Sequence, residues 1–103
     1  MPVPPLSEEQ RRLARNAATQ ARRRRADVKD ALRSGQQSLS DVLALAEEDD
    51  VVAHTKVKDV LRCLPRVGDV RADAVMERLQ IAPNRRLRGL GRHQSAALIA
   101  EFA

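Results

Sequence analysis

Phe102 is the only aromatic residue in a chain of 103 residues, and this scarcity limits the folds that the chain can build. Hydrophobic residues still make up 43% of the sequence, so the core has to come from leucine, valine, alanine and isoleucine. Small aliphatic side chains of this kind suit helices that pack closely against one another. No segment has the alternating pattern typical of a strand. The sequence therefore predicts an all-α fold, organised as one folding unit because a chain of this length has room for a single domain.

A long basic helix is predicted near the amino end of the chain. Ser7 and Gln10 form a capping-box pattern, in which each side chain accepts a hydrogen bond from the backbone N–H of the other residue. Small and aliphatic residues then recur at helical spacing up to Gly35, a residue type that often ends helices. We expect a helix of about 27 residues, about 40 Å long. The expected divisions of the chain are an arm (1–6), the long basic helix (7–35) and a compact helical domain (36–103).

Shorter helical segments are predicted along the rest of the chain. Ser38 can cap the first of them, and Pro65 has to end the third because proline cannot continue a helix. The acidic run from Glu47 to Asp50 is expected to form a solvated turn. Leu87 and Leu90 are expected to anchor the long loop before the last helix on the core. The predicted segments are 39–46, 51–54, 56–64, 69–79 and 92–102.

The sequence offers little for catalysis or for metal binding. Cys63 is the only cysteine, which rules out an internal disulfide, and its apolar neighbours predict a buried structural thiol. His54 and His93 lie far apart and lack the spacing of metal ligands. We therefore expect no enzyme activity, no cofactor and no small-molecule substrate. The chain shows neither an apolar run long enough for a membrane span nor the features of a secretion signal, so we expect a cytoplasmic protein.

Basic residues are concentrated in two parts of the chain. The formal net charge is +5, and seven arginines lie between Arg11 and Arg25 with no acid among them. From Val51 onward there are ten basic and five acidic residues. This distribution favours a polyanionic partner, although a solvated basic face without a ligand would have the same composition.

The arginines of the first helix repeat at positions one helical turn apart. Like charges at that spacing repel one another, so we expect this part of the helix to fray in isolation and to become firmer when phosphates neutralise it. Auxiliary phosphate contacts are expected from Arg22, Arg23, Lys56 and Lys58.

The connection between the predicted third and fourth short segments is a candidate phosphate-binding turn. Gly68 allows a positive φ and a close approach of the backbone, and the helix that follows begins with unpaired N–H groups at the positive end of its dipole. A phosphate suits such a place, whereas the carboxylate of Asp69 would repel it. An ordinary helical hairpin would show the same pattern. The candidate residues are Leu64, Pro65, Arg66, Val67, Gly68, Asp69, Val70 and Arg71.

A second candidate is the glycine-containing loop from Ile81 to Arg92, which has four arginines and no acid. Arginines that project from such a loop can contact phosphates or enter a narrow minor groove, although a solvated basic loop remains an alternative. Neither segment has aromatic residues that could stack on splayed bases, so duplex is favoured over single strands. No obvious recognition helix is present, and we expect little sequence preference. The candidate residues are Asn84, Arg85, Arg86, Arg88, Gly89, Gly91 and Arg92.

These two segments resemble, in the same order, the turn of the helix-two-turns-helix motif and the basic lid of actinobacterial integration host factors. The resemblance extends from Pro4 to the helix around Leu98. It implies a monomeric protein of the bacterial nucleoid that binds double-stranded DNA non-specifically, bends or compacts it, influences transcription and assists phage integration, with a phage integrase complex on the DNA as a further expected partner. Members usually carry a basic residue where this chain has Asp69, so the resemblance assigns no role to that side chain.

Two relatives of the motif supply alternatives. A small-subunit ribosomal protein has a similar hairpin and binds RNA, and it too is short, basic and helical. Formamidopyrimidine-type DNA glycosylases use an amino-terminal proline followed by a glutamate. Pro2 would be exposed here if Met1 were removed, but Val3 stands in the place of the glutamate, and the chain is too short for a base-flipping pocket.

Overall fold

The computed structural model describes residues 7–103, and this part of the chain is helical. The only strand-like feature between residues 7 and 103 is an isolated antiparallel bridge between Lys56 and Arg86. The prediction of an all-α fold is confirmed. Residues 1–6, predicted to form an arm, lie outside the described part. The helices are α1 (Glu8–Ser34), α2 (Leu39–Ala46), α3 (Asp50–Ala53), α4 (Val57–Arg62), α5 (Asp69–Arg78) and α6 (Arg92–Glu101), with a 3₁₀ turn at Leu87–Gly89.

Both ends of α1 are fixed by the residues that the sequence indicates. The Gln10 N–H donates to Ser7 Oγ at 3.1 Å, and the Ser7 N–H donates to Gln10 Oε1 at 2.9 Å. The helix is 27 residues long and ends at Ser34. Gly35 is its C-cap, and the φ of 79° at Gly35 lies in the left-handed region where glycine is favoured. The predicted capping box and helix end are confirmed.

The amino-terminal half of α1 contributes little to the core. Val28 and Leu32 are 5% and 1% exposed, whereas Ala14, Ala17 and Ala18, which continue the same stripe, are exposed. The stripe of small and aliphatic residues that the sequence predicts along α1 is therefore buried only in its carboxyl-terminal part. Small side chains give little hydrophobic gain on burial, so nothing draws another element onto this part of the helix.

The core lies where α2–α6 pack against the carboxyl-terminal end of α1. Helices α4 and α5 form a hairpin, α2 contacts α3 and α6, and α1 contacts α3. Cys63 is 4% exposed, so the predicted buried thiol is confirmed. The buried cluster consists of Val28, Leu32, Leu39, Val42, Val52, Val57, Val60, Leu61, Cys63, Val67, Ala72, Val75, Met76, Ile81, Leu87 and Leu98.

The acidic segment between α2 and α3 is more structured than the expected solvated turn. Asp49 caps α3, because its Oδ1 accepts hydrogen bonds from the N–H groups of Val51 (3.0 Å) and Val52 (3.3 Å). Its Oδ2 accepts a hydrogen bond from Arg24 Nε of α1 at 2.7 Å. The Arg24 guanidinium holds the pKa of the Asp49 carboxyl below its ordinary value, and the two backbone bonds act in the same direction. The carboxylate thus joins α1 to the start of α3.

Candidate nucleic-acid interface

The turn between α4 and α5 buries Val67 and exposes the residues on both sides of it. Val67 is only 6% exposed and anchors the turn in the core, and its N–H donates to the Leu64 carbonyl at 3.1 Å. The residues on either side of it, Arg66 and Gly68, are exposed. Arg66 has a φ of 67°, while Gly68 is extended at φ −97° and ψ −174°. The expectation of a positive φ at Gly68 is wrong, since Arg66 makes the sharp change of chain direction.

Gly68 leaves an open approach to the start of α5. A Cβ atom built on Gly68 would have no neighbour within 4 Å, so internal packing gives no reason for a glycine there. Gly68 is the N-cap of α5, and no side chain of the described residues caps this helix. The first amides of α5 are therefore free to bind an acceptor from outside, and the missing side chain lets that acceptor come close.

Asp69 is paired with Arg62, the last residue of α4. Arg62 Nε forms an ion pair with Asp69 Oδ1, and Arg62 also lies 4.0 Å from the carboxylate of Asp59. The pairing partly offsets the repulsion that the carboxylate of Asp69 would exert on a phosphate, although 61% of its side chain remains exposed. It also ties the two helices together across the turn.

The remaining charged residues of the turn differ in how they are held. The Arg71 guanidinium lies over the ring of Phe102, 5.1 Å from its centroid, so its position is fixed by a cation–π contact. Arg66 has no ion pair among residues 7–103 and is exposed to solvent. Pro65 is also exposed, and Leu64 is half-buried.

The arginine loop, which we call the lid (residues 84–92), is attached to the loop between α3 and α4. The Val57 N–H donates to the Arg85 carbonyl and the Leu87 N–H donates to the Thr55 carbonyl, both at 2.9 Å. Leu87 is buried and Leu90 packs against the core, so the predicted anchoring of this loop is confirmed. The lid therefore has a fixed path instead of hanging free in solvent.

Two of the three central lid arginines bond to backbone carbonyls. Arg85 Nη1 donates to the Gly89 carbonyl at 3.4 Å, and a Cβ at Gly89 would come within 2.8 Å of Arg85 Cδ. Arg86 Nη1 donates to the His54 carbonyl. From the sequence we expect Arg85, Arg86 and Arg88 to be free to project outward. All three are exposed, but Arg85 and Arg86 are not free, because these bonds hold their guanidinium groups. Arg88 has no hydrogen bond or ion pair to another residue of the described chain.

The end of the lid is fixed by Gln94 and Gln80, two residues that the sequence did not single out. The Gly91 N–H donates to Gln94 Oε1, and Gln94 Nε2 donates to the Gln80 carbonyl, both at 3.0 Å. Gln80 itself has a φ of 58°. The spacing of Gly91 and Gln94 is that of half a capping box, a signal that could have indicated this bond. Arg92 and Asn84 are exposed, without such a bond in residues 7–103.

The four residues expected to make auxiliary phosphate contacts differ in the contacts that they already make. Lys56 is exposed and forms the backbone bridge with Arg86, which places it beside the lid. Lys58 Nζ lies 3.0 Å from Asp73 Oδ1, so it already links α4 to α5 and is less available than expected. Arg22 makes one long bond, 3.5 Å, to Thr19 Oγ1, and Arg23 is exposed.

The turn and the lid lie at opposite ends of α4. This helix has six residues and therefore spans about 9 Å between the start beside Lys56 and the turn that follows Arg62. Along one strand of duplex DNA, about 9 Å corresponds to about three nucleotides. Both features could thus meet one duplex.

Neither a metal-binding cluster nor a membrane-spanning helix is found among the described residues. Residues 7–103 contain no group of three or more histidine, cysteine or acidic side chains placed to hold a metal ion. Within the same range, no helix combines the length and the apolar surface needed to cross a membrane.

Fold and site together define a helix-two-turns-helix protein. Residues 32–102 match the family described as the S13-like H2TH domain. The integration host factor of Mycobacterium tuberculosis is 48% identical over 102 residues, covering 99% of this chain and 97% of the relative. The Streptomyces coelicolor integration host factor is also 48% identical, covering 99% of this chain and 95% of the relative. The chain belongs to the integration host factor family.

A solved structure agrees with this assignment. The structure of sIHF bound to an 8 bp palindromic DNA matches with a TM-score of 0.83 and 46% identity, over 85% of this chain and 99% of that chain. The resemblance stated from the two sequence segments is confirmed.

Proposed function

We propose that this chain is a non-catalytic, architectural protein that binds double-stranded DNA with little sequence preference. The observation that carries the proposal is the open start of α5, where uncapped amides and the side-chain-free Gly68 face solvent next to exposed Arg66. A DNA-bound relative with the same fold supports the nature of the partner. Backbone amides recognise phosphate and carry no base information, which fits low specificity.

In this proposal the turn and the lid hold one duplex from neighbouring positions. A phosphate accepts hydrogen bonds from the first amides of α5, while Arg85, Arg86 and Arg88 reach other phosphates or the minor groove. Arg66 and Lys56 extend the basic surface at either end of α4. If about six phosphates are neutralised, the slope of log affinity against log salt is near −5.

The finer functions belong to the same proposal. The names of its relatives support an integration host factor role. From that role we propose that the protein bends and compacts DNA, influences transcription and supports phage integration. A phage integrase complex is the proposed partner on the DNA. We also propose a monomer in the cytoplasmic nucleoid, divided into an arm (1–6), a basic helix (7–35) and a DNA-binding domain (36–103). Bending predicts a shorter end-to-end distance of a saturated duplex, measured by fluorescence transfer, and an unchanged distance contradicts it.

The central test is a fluorescence anisotropy titration at several salt concentrations. Wild type and the triple variant Arg85→Ala/Arg86→Ala/Arg88→Ala are compared on duplex DNA, single-stranded DNA and duplex RNA of the same sequence. We expect wild type to prefer duplex DNA, and the triple variant to lose affinity and up to about three units of salt slope, one for each phosphate contact removed.

The alternative is an RNA-binding role like that of the ribosomal protein with the same hairpin. The match of residues 32–102 to an S13-like domain is the observation that keeps this alternative in view. Equal competition by duplex RNA would favour it. A triple variant that binds as wild type does would show instead that the lid is a solvated basic loop.

A further inference from the structure

Val70 is an apolar side chain in an unexpected place. It is 85% exposed, and Leu13 at 60% is the other large hydrophobic residue that the described chain leaves exposed. Val70 lies in the first turn of α5, directly beside the open amides that follow Gly68. A single exposed valine is unremarkable elsewhere on a protein surface, but here it borders the proposed phosphate site.

The neighbours of Val70 in the first turn of α5 have partners. Asp69 is paired with Arg62, and the guanidinium of Arg71 lies over the ring of Phe102. Helical Cα–Cβ bonds tilt toward the amino end of the helix, so the isopropyl group of Val70 leans toward the space in front of α5. An acceptor held by the first amides of this helix would therefore bring its attached groups close to these methyl groups.

On a nucleic acid, the groups attached to that phosphate are sugars. Deoxyribose presents a methylene at C2′, which can pack against methyl groups with a gain from apolar burial. Ribose presents a hydroxyl there, and a valine cannot replace the water that the hydroxyl loses. Relying on the proposed function, we propose that Val70 packs against the sugar next to the phosphate bound at α5 and thereby selects DNA over RNA.

The variant Val70→Thr tests this contact because threonine has nearly the shape of valine and adds one hydroxyl group. The exposed position leaves no core packing to disturb, so the melting temperature should stay that of wild type. Affinities are measured for duplex DNA, duplex RNA and 2′-fluoro RNA of one sequence. The 2′-fluoro duplex keeps the A-form of RNA without its hydroxyl groups, so it separates the effect of the hydroxyl from that of groove shape.

For wild type we expect duplex DNA to bind best and 2′-fluoro RNA to bind better than RNA. Val70→Thr should lower the affinity for DNA about fivefold, leave the salt slope unchanged and narrow the ratio between DNA and RNA affinities. It should also reduce the difference between the affinities for duplex RNA and for the 2′-fluoro duplex.

Arg66→Gln serves as the control at the same turn, since it removes charge and should weaken DNA and RNA binding alike, lowering the salt slope by about one. An unchanged DNA-to-RNA ratio in Val70→Thr overturns the inference, as do an equal loss on all three duplexes and equal binding of RNA and 2′-fluoro RNA by wild type. If Arg66→Gln still weakens binding to DNA and RNA alike in those cases, the proposed function remains supported. Failure of wild type to bind duplex DNA overturns the proposed function itself.

Discussion

The lid and the amino-terminal half of α1 are both rich in arginine, yet they are built in different ways. In the lid, Arg85 and Arg86 donate to backbone carbonyls, and Leu87 fixes the loop on the core. In α1, Arg11, Arg12 and Arg15 are exposed on a stretch of helix whose alanines are exposed as well. The first surface is supported by tertiary contacts, and the second depends on helical hydrogen bonds alone.

This difference implies that equal charge need not give equal affinity. An arginine that is already held in place loses less conformational entropy when it binds a phosphate than one that moves freely. Arginines spaced one turn apart on a free helix also repel each other, and part of the binding energy must then order the helix. The lid should therefore contribute more affinity per arginine than the α1 segment does.

The largest expected effect comes from comparing two triple variants of equal charge. Arg85→Ala/Arg86→Ala/Arg88→Ala should weaken binding to duplex DNA about 100-fold, which corresponds to about 1 kcal/mol for each of these exposed, solvent-screened arginines. Arg11→Ala/Arg12→Ala/Arg15→Ala should weaken it less than about fivefold, because these arginines are not preorganised. Anisotropy titrations at one salt concentration measure both.

Alanine is the best helix former, so the α1 triple variant should keep its helix, which circular dichroism can verify. Equal losses in the two variants would show that net charge alone sets affinity and that the support of the lid has no functional role.

The next largest effect comes from comparing Gly68, which we expect to affect DNA binding, with Gly35, which we expect to affect stability. Gly68→Ala should leave stability unchanged, because the backbone there is extended and the added Cβ meets no neighbour within 4 Å. It should weaken DNA binding about tenfold, because the methyl group stands where a phosphate approaches the amides. Gly35→Ala should do the reverse: at φ 79° it should lower the free energy of unfolding by about 1 kcal/mol and leave the affinity unchanged.

Urea unfolding measures the free energy of unfolding of both variants, and anisotropy titrations measure their affinities for duplex DNA. If Gly68→Ala bound DNA as wild type does, the start of α5 would not be the phosphate site, and the basic surface would have to act through side chains alone.

Local signals in the sequence predicted much of the fold. The caps at Ser7 and Ser38 lie within four residues of their partners. Gly35 ends α1 because glycine is free to take a positive φ, and α4 ends before Pro65 because proline cannot continue a helix. Leu87 could be recognised as an anchor because it is an apolar residue among arginines. The order of the turn and the lid along the chain was enough to indicate the family.

Contacts between distant parts of the chain could not be predicted in this way. Nothing near Asp49 indicates that its partner is Arg24, 25 positions earlier. The bond from Arg86 to the carbonyl of His54 likewise depends on how the lid lies over the loop between α3 and α4. The positive φ at Arg66 could not be predicted, because glycine is the usual residue for that conformation and a glycine lies only two positions further along.

Removing the contact between α1 and the helical domain (36–103) should have a smaller effect. Asp49→Ala removes both the cap of α3 and the partner of Arg24, and it should lower the free energy of unfolding by about 1–2 kcal/mol. Most of this loss reflects the cap, because the Arg24 side chain is 45% exposed and solvent screens the pair. Thermal or urea unfolding measures it, with Asp30→Ala on the exposed face of α1 as a control that should change little.

The pH dependence of the same site has a defined sign. The pKa of Asp49 is lowered in the folded state, so its contribution to stability is present above the unfolded pKa of about 3.9 and is lost as pH falls through the lower folded pKa. The stability difference between wild type and Asp49→Asn should therefore shrink below about pH 4. A difference that stayed constant down to pH 2 would mean that the ion pair contributes nothing measurable.

The smallest expected change concerns the free helix itself. Like charges one turn apart cost a few tenths of a kcal/mol per pair, so the amides of residues 11–20 should exchange faster with solvent than those around Val28 and Leu32. Bound duplex DNA should slow that exchange by about fivefold, roughly 1 kcal/mol of added helix stability, by neutralising the arginines. Slow amide exchange of these residues in the absence of DNA would show that this part of α1 is already a stable helix. The arginines of α1 would then differ from those of the lid only in lacking a tertiary contact.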